Sequence, residues 1–143
     1  MRHTVGVSIN APLEKVATLF ANPRLSEKWM EDTRYEPISG EQGAQGSKYR
    51  LTMEKGTMSF IATVLLRDLP REVRLLLESP KVAVNITVTF AAEGFDRTRL
   101  VSEEIFTFRG LSRILSIIAR PRIRQAHLRQ MAAFARFAEQ PPL

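Results

Sequence analysis

The residue of this sequence best suited to proton chemistry is Glu104, which falls within an apolar strand pattern. Glu104 lies in alternation with Leu100, Phe106 and Phe108, so it shares their face if that register holds. A carboxylate among apolar side chains loses hydration, which raises its pKa and suits it to act as an acid, a base or a polar ligand anchor. Two other interpretations stay open: the strand twists or bulges near Ser102, or Glu104 pairs with an arginine of the last helix.

Two further polar residues, Arg124 and His127, occur where the last helix pattern is apolar. Helical spacing places both beside Leu128 and Met131. A histidine can exchange protons with a bound hydroxyl or ketone near neutral pH. An arginine one turn after Pro121 can meet an acidic ligand group at a cavity mouth. The alternatives are a hydrogen-bonded core histidine and an arginine that extends its guanidinium to solvent.

Aromatic and flexible apolar side chains form a third group of candidates, because they are the usual lining of a ligand cavity. The same side chains are ordinary core material, so residue type alone does not separate ligand contact from packing. Glu104 and His127 are the only candidates for catalysis. The predicted ligand-binding set is Trp29, Tyr35, Tyr49, Met53, Phe60, Glu104, Phe106, Arg124, His127 and Met131.

Several chemistries find no support in the composition. The chain has no cysteine, which excludes disulfides, thiolate metal sites and a cysteine nucleophile. His3 and His127 are its two histidines, and a zinc site would need distant carboxylates as well. The sequence contains no Gly-rich phosphate loop, nucleophile elbow or dinucleotide fingerprint. We therefore expect neither a metal nor a cofactor.

Most of the chain alternates with the period of a β-strand. Residues 3–10 are predicted to form the first strand, and two short helices follow, beginning near Pro12 and Pro23. Residues 33–108 contain six strands separated by turn residues at hairpin spacing. One long strand is predicted to place five residues on a single face: Met58, Phe60, Ala62, Val64 and Leu66. The order β-α-α-β6-α predicts an α+β fold in which a seven-stranded antiparallel sheet curls around a long C-terminal helix.

The C-terminal pattern is helical, with an interruption at Pro121. The apolar residues before the proline share one face: Leu111, Ile114, Leu115 and Ile118. Those after it share another: Leu128, Met131, Phe134, Ala135 and Ala138. These faces point to nearly opposite sides, so one straight helix cannot bury both. Because proline lacks an N–H and clashes with the preceding turn, we predict a short helix near 111–119, a kink or break, and a long helix near 122–138.

The positive charge is concentrated at the C-terminus. Residues 109–143 contain seven arginines and one acidic residue, whereas residues 1–108 have fourteen basic and fourteen acidic residues, so the net charge of +6 belongs to the C-terminal helices. Simple solvation of an exposed helix, peripheral contact with an anionic membrane and RNA contact are all compatible with this pattern. Nucleic acid is disfavoured because no aromatic residue alternates with the arginines for base stacking.

Length and composition predict a single domain over residues 1–143. The N-terminus runs directly into a strand pattern, and the longest apolar run is too short to cross a bilayer. A cytoplasmic location is therefore the expectation. A monomer and a homodimer are equally compatible with the sequence.

The sequence resembles the START-like superfamily, also called SRPBCC or the Bet v 1-like helix-grip fold. The resemblance rests on Asn10-Ala11-Pro12-Leu13-Glu14-Lys15-Val16 at the start of the first helix, Asn22-Pro23 at its end and Trp29 closing the second. The Leu69-Pro70-Arg71 turn and the Arg-rich final helix look like the bacterial branch labelled polyketide cyclase/dehydrase and lipid transport.

This resemblance implies a deep hydrophobic cavity between sheet and C-terminal helix and no universal catalytic motif. We therefore expect the protein to bind or transport a small hydrophobic ligand, such as a lipid or polyketide. Two alternatives stay open. One is an aromatase/cyclase-type enzyme that uses Glu104 and His127 for proton transfer. The other is a coenzyme-Q-binding or ribosome-associated START-like protein that acts through its basic helix.

Overall fold

One antiparallel sheet organises the fold. The computed structural model describes residues 1–110 and 112–141, with the side chains of all of these except 112–116. The strands are β1 (Arg2–Ile9), β2 (Arg34–Ser39), β3 (Lys48–Met53), β4 (Met58–Asp68), β5 (Glu72–Glu78), β6 (Val82–Gly94) and β7 (Arg97–Phe108). They pair in the order β1-β7-β6-β5-β4-β3-β2. The predicted seven-stranded antiparallel sheet is confirmed.

Three α-helices in the described residues accompany the sheet: α1 (Leu13–Ala21), α2 (Ser26–Trp29) and α3 (Ser112–Ala138). A short 3-10 turn, Pro23–Leu25, links the first two, and the Asn22 side chain accepts a hydrogen bond from the Arg24 amide at its start. Since proline supplies no amide N–H, it suits this first-turn position. The predicted pair of short helices after the first strand is confirmed. None of the described helices has the length and apolar character that crossing a bilayer requires.

Strand β4 differs from the prediction in its C-terminal half. Its pairing with β5 shifts between Val64 and Leu66, so that Arg67 lies opposite the buried Val73. A bulge inserts one residue and moves every later side chain to the other face. The prediction that Leu66 shares a face with Val64 is therefore wrong, and Arg67 takes the inner position.

Of the predicted kink or break in the C-terminal helix, the break is wrong, because α3 continues through Pro121. Pro121 cannot donate to the carbonyl of Ile117, one turn earlier. Ile117 is 72% exposed, so water can replace the missing donor at this surface position.

The two apolar faces of α3 nevertheless differ in burial. Met131, Phe134 and Ala138 are buried, whereas Ile118 is 75% exposed. Leu128 is 50% exposed, so its predicted place on the buried face is wrong. The cause is that the buried stripe begins only at His127 and follows its spacing, which leaves Leu128 to one side. Leu111 and the side chains of Ile114 and Leu115 lie outside the described residues.

The C-terminal end of α3 is held against the first strand and first helix. The Asn10 amide donates to the Glu139 carboxylate at 2.8 Å, and the Lys15 ammonium donates to the Gln140 carbonyl at 2.8 Å. Phe134 is fully buried and packs edge-on against Trp29 and Phe20, with ring centroids 5.2 Å and 5.3 Å away. These contacts fix the helix across the open side of the sheet.

Candidate functional site

A cavity of about 850 Å³ lies between the inner face of the sheet and α3. This volume is within the usual range for small-molecule sites. Most of the wall is apolar and comes from β3 to β7, with α3 contributing Ile123, Ala126, Met131 and Ala133. The residues of the predicted ligand-binding set that line it are Trp29, Tyr49, Met53, Phe60, Glu104, Phe106, His127 and Met131.

Tyr35 and Arg124, the other two predicted residues, lie outside this lining. Tyr35 is on the edge strand β2, where its ring packs 5.4 Å from that of Tyr49, beside the lining. Burial raises the pKa of Tyr49, which stays a neutral phenol.

Arg124 is exposed and borders a separate surface pocket of about 190 Å³ together with Met1, Arg2, His3 and Arg120. It precedes the point at which α3 becomes covered by the sheet, so its side chain stays at the surface. Arg124 thus has the exposed position that a guanidinium extended to solvent would have, and its contact with an acidic ligand group stays a prediction.

Charged side chains surround the cavity where it meets solvent. The exposed residues of the rim are Glu31, Asp32, Glu54, Lys55, Arg67, Arg122, Arg129 and Arg136. Arg67 is held there by hydrogen bonds from its guanidinium to the carbonyls of Ala21 and Gly43, at 3.1 Å and 3.2 Å. Gly43 has a φ of +79°, and a Cβ there would lie 3.0 Å from the Arg67 guanidinium, so only glycine suits this contact.

A polar cluster interrupts the apolar wall deeper in the cavity. Strand β7 contributes Ser102 and Glu104, and α3 contributes His127. The His127 Nε2 atom lies 2.9 Å from Ser102 Oγ, and its Nδ1 atom lies 3.4 Å from Glu104 Oε1. His3 of β1, which pairs with Glu104 in the sheet, places its Nδ1 atom 2.9 Å from His127 Nδ1.

Burial controls the protonation of this cluster. It raises the pKa of Glu104 to about 7, because a carboxylate at this position loses hydration. Burial, with a smaller contribution from His3, lowers the pKa of His127 to about 4. Burial and the charge of Arg124 lower the pKa of His3. Glu104 and His127 are therefore both neutral between about pH 4 and pH 7. Removing a carboxylate and an imidazolium from water would cost more free energy than the attraction between them provides.

Sequence reasoning missed three residues of the site: His3, Arg67 and Ser102. The strand pattern does place Ser102 on one face with Leu100 and Glu104, but a lone serine there gave no sign of a chemical role. Arg67 could not be assigned to the inner face from the sequence, because no residue type indicates the bulge in β4. His3 gave no signal, because its neighbour His127 is 124 positions away in the chain.

Among the described residues, no group of three or more histidine, aspartate and glutamate side chains has an arrangement that could hold a metal ion.

Sequence comparison alone does not place this chain, because neither a family model nor a curated protein matches it. Solved structures do match its fold. Truncated norcoclaurine synthase from Thalictrum flavum superposes with a TM-score of 0.77 at 15% identity, over 99% of this chain and 95% of the other. The Zhui aromatase/cyclase from Streptomyces sp. R1128 has a TM-score of 0.78 at 16% identity, over 97% and 93%.

A START superfamily protein from Mycobacterium smegmatis also matches, with a TM-score of 0.73 at 14% identity over 96% of this chain and 94% of the other. The chain has the START-like, or Bet v 1-like, helix-grip fold. The solved structures that share this fold include enzymes, and identities of this size establish the fold alone.

Proposed function

We propose that this START-like protein binds and carries a small hydrophobic ligand in the cavity between the sheet and α3. The observation that carries the proposal is a largely apolar space of about 850 Å³ with one polar cluster in its wall. An apolar ligand body would gain free energy by leaving water. A hydroxyl or carbonyl group on the ligand could pair with Glu104, which is protonated in half of the molecules near pH 7.

Cavity filling tests this proposal. Ala126 lines the cavity and Gln125, its neighbour on α3, is exposed. We expect native mass spectrometry to detect a co-purifying hydrophobic compound in the wild type and in Gln125→Trp, but not in Ala126→Trp. We also expect Ala126→Trp to weaken binding of the apolar fluorophore 1-anilinonaphthalene-8-sulfonate by roughly tenfold or more, since an indole fills much of the space that the probe needs.

The two variants introduce the same tryptophan side chain at adjacent positions. A difference in ligand or fluorophore binding between them therefore shows that binding takes place in the cavity. Equal fluorophore affinity in all three proteins, with no compound in the wild type, would contradict ligand carriage. The identity of a co-purified compound separates the alternatives. A polyketide would favour the cyclase-type enzyme, with Glu104 and His127 as proton-transfer residues, and a quinone would favour coenzyme-Q binding.

We further propose that α3 brings the cavity mouth to an anionic membrane. Ile117 and Ile118 are 72% and 75% exposed, an unusual cost for apolar side chains in water. Exposed arginines follow them on the same helix, and three of these, Arg122, Arg129 and Arg136, belong to the cavity rim. Isoleucines that enter the lipid interface and arginines that meet lipid phosphates form a typical peripheral contact.

Vesicle binding tests the membrane contact. We expect sedimentation with phosphatidylcholine vesicles containing about 30% phosphatidylserine to fall roughly tenfold in an Ile117→Ser, Ile118→Ser double variant and to weaken with salt. Ile38→Ser is the matched control, because Ile38 is exposed on β2, away from α3. Binding to RNA with no response to vesicles would instead support the ribosome-associated alternative.

A further inference from the structure

In the polar cluster of the cavity wall, a histidine lies between a serine and a carboxyl group in space. Ser102 Oγ is 2.9 Å from His127 Nε2, and the other ring nitrogen of His127 is 3.4 Å from Glu104 Oε1. All three residues line the cavity. A nucleophile within hydrogen-bond reach of a base that a third group orients is the geometric signature of acyl transfer, whatever the fold or chain order.

One tautomer of His127 leaves Nε2 able to accept from Ser102. With its proton on Nδ1, His127 donates to the Nδ1 atom of His3, 2.9 Å away, while Nε2 accepts from the Ser102 hydroxyl; Glu104 Oε1 lies beside the same Nδ1, at 3.4 Å. His3 on β1 and Glu104 on β7 are the titratable groups that face His127 from the sheet, and Arg124 is the nearby charge on α3. Burial lowers the pKa of His127 to about 4, so its ring is neutral near pH 7 and stays a weak base until the neighbouring Glu104 ionises.

The strand holds the serine in a fixed place. Ser102 is paired with Val5 of β1 on one side and Val88 of β6 on the other, and 1% of it is exposed. A side chain on a strand paired on both sides has little freedom to leave the histidine. No G-x-S-x-G motif surrounds it, so sequence patterns do not mark this serine.

We propose that Ser102, His127 and Glu104 form a nucleophilic triad that cleaves an ester or thioester of an apolar acyl group in the cavity. The proposal rests on the ligand-binding function above, because the substrate must enter the same space. Ser102 and His127 are the catalytic residues, and Glu104 positions the imidazole. The apolar walls select the acyl chain.

The reaction proceeds in two balanced steps. Ser102 Oγ attacks the carbonyl carbon while its proton moves to His127 Nε2. The bond to the alcohol or thiol then breaks, and the leaving group takes that proton. Water attacks the acyl-serine in the second step, its proton passes through Nε2 to Ser102 Oγ, and a carboxylic acid leaves.

An alkyl fluorophosphonate tests the triad, because it reacts with activated serines and its chain suits an apolar cavity. We expect a single adduct on the wild type, located at Ser102 by peptide mass spectrometry. Ser102→Ala should remove the adduct, and His127→Gln should slow labelling by roughly 100-fold or more, the usual effect of losing a general base. Ser59→Ala is the control, because Ser59 lies exposed on β4 and should leave labelling unchanged.

Binding of 1-anilinonaphthalene-8-sulfonate, measured on the same samples, separates this proposal from the carrier function. Probe binding without an adduct at Ser102 overturns the triad and leaves ligand binding intact. If the wild type neither binds the probe nor is labelled, both the triad and the carrier function are overturned. An adduct at Ser102 that forms equally fast in His127→Gln also overturns the triad, since the histidine would then do nothing for the serine.

The pH profile gives a readout that a merely structural role of Glu104 would not move. The labelling rate should rise from about pH 6 to about pH 8, because the carboxylate that orients His127 forms as Glu104 titrates near its raised pKa of about 7. Glu104→Gln, nearly the same size, should lose this inflection and stay slow. An unchanged profile in this variant overturns the role of Glu104 even if His127→Gln does not fold.

Discussion

Replacing Phe134 with alanine is expected to lower the free energy of unfolding by about 3–5 kcal/mol, the usual range for a fully buried phenylalanine. Phe134 has no exposed surface and contacts the rings of Phe20 and Trp29. Its loss would leave a space between α3 and the two short helices that the fixed backbone cannot close. Urea unfolding followed by circular dichroism measures the change.

Leu128→Ala is the matched control for this experiment. It removes a large apolar side chain from the same helix, but Leu128 is 50% exposed, so the expected change is within about 0.5 kcal/mol. Equal losses in the two variants would contradict the orientation of α3. The cavity between α3 and the sheet, and with it the proposed function, would lose its basis.

The second large effect is on the pH dependence of stability, where Glu104 and His127 act in opposite directions. Burial raises the folded-state pKa of Glu104 from 4.5 to about 7, so its contribution to stability is present below pH 4.5 and is lost as pH rises through about 7. Burial lowers the folded-state pKa of His127 from 6.5 to about 4, so its contribution is present above pH 6.5 and is lost as pH falls through about 4. Each amounts to about 3 kcal/mol.

The two contributions cancel in the wild type between about pH 4.5 and pH 6.5, because folding there moves a proton from His127 to Glu104 without net uptake. Replacing one of the two residues should reveal the pH dependence of unfolding free energy that the other contributes. Relative to the wild type, Glu104→Gln should lose stability as pH falls from about 7 to about 4.5. His127→Gln should lose it as pH rises from about 4 to about 6.5.

Urea midpoints at closely spaced pH values test this pair of slopes, and each variant serves as the control for the other. The comparison uses the difference from the wild type at each pH, which removes the contribution of all other titrating groups. Curves that stay parallel to the wild type across this range would show that Glu104 and His127 titrate normally in the folded protein. The electrostatic part of the site would then be wrong.

The architecture was accessible from the sequence because it depends on local periodicity. Alternation of apolar and polar residues is the direct consequence of strand geometry, so the strands and their antiparallel order could be counted from the chain. The contrast between the two faces of the C-terminal helix likewise showed that a single straight helix would bury only one of them. Met131 and Phe134 on the buried face confirm that inference.

Three features were decided by tertiary contacts. The helix continues through Pro121 because its surface position leaves the orphaned carbonyl open to water. The bulge in β4 turns Arg67 to the cavity rim, since one inserted residue reverses a face without changing composition. The cover that the sheet gives α3 begins at His127, which exposes Arg124 and Leu128 despite their place in the helical pattern.

The candidate site shows the same division. Glu104 and His127 could be chosen singly, because a polar residue in an apolar pattern stands out within its own element. These two residues meet each other, and they also meet Ser102 and His3. The contacts depend on how α3 crosses β1 and β7, which brings together residues up to 124 positions apart. Residue types and spacing determined the elements of this protein and their inner faces. The crossing of α3 over the sheet determined which side chains meet, because such contacts depend on packing between distant segments and not on periodicity within one.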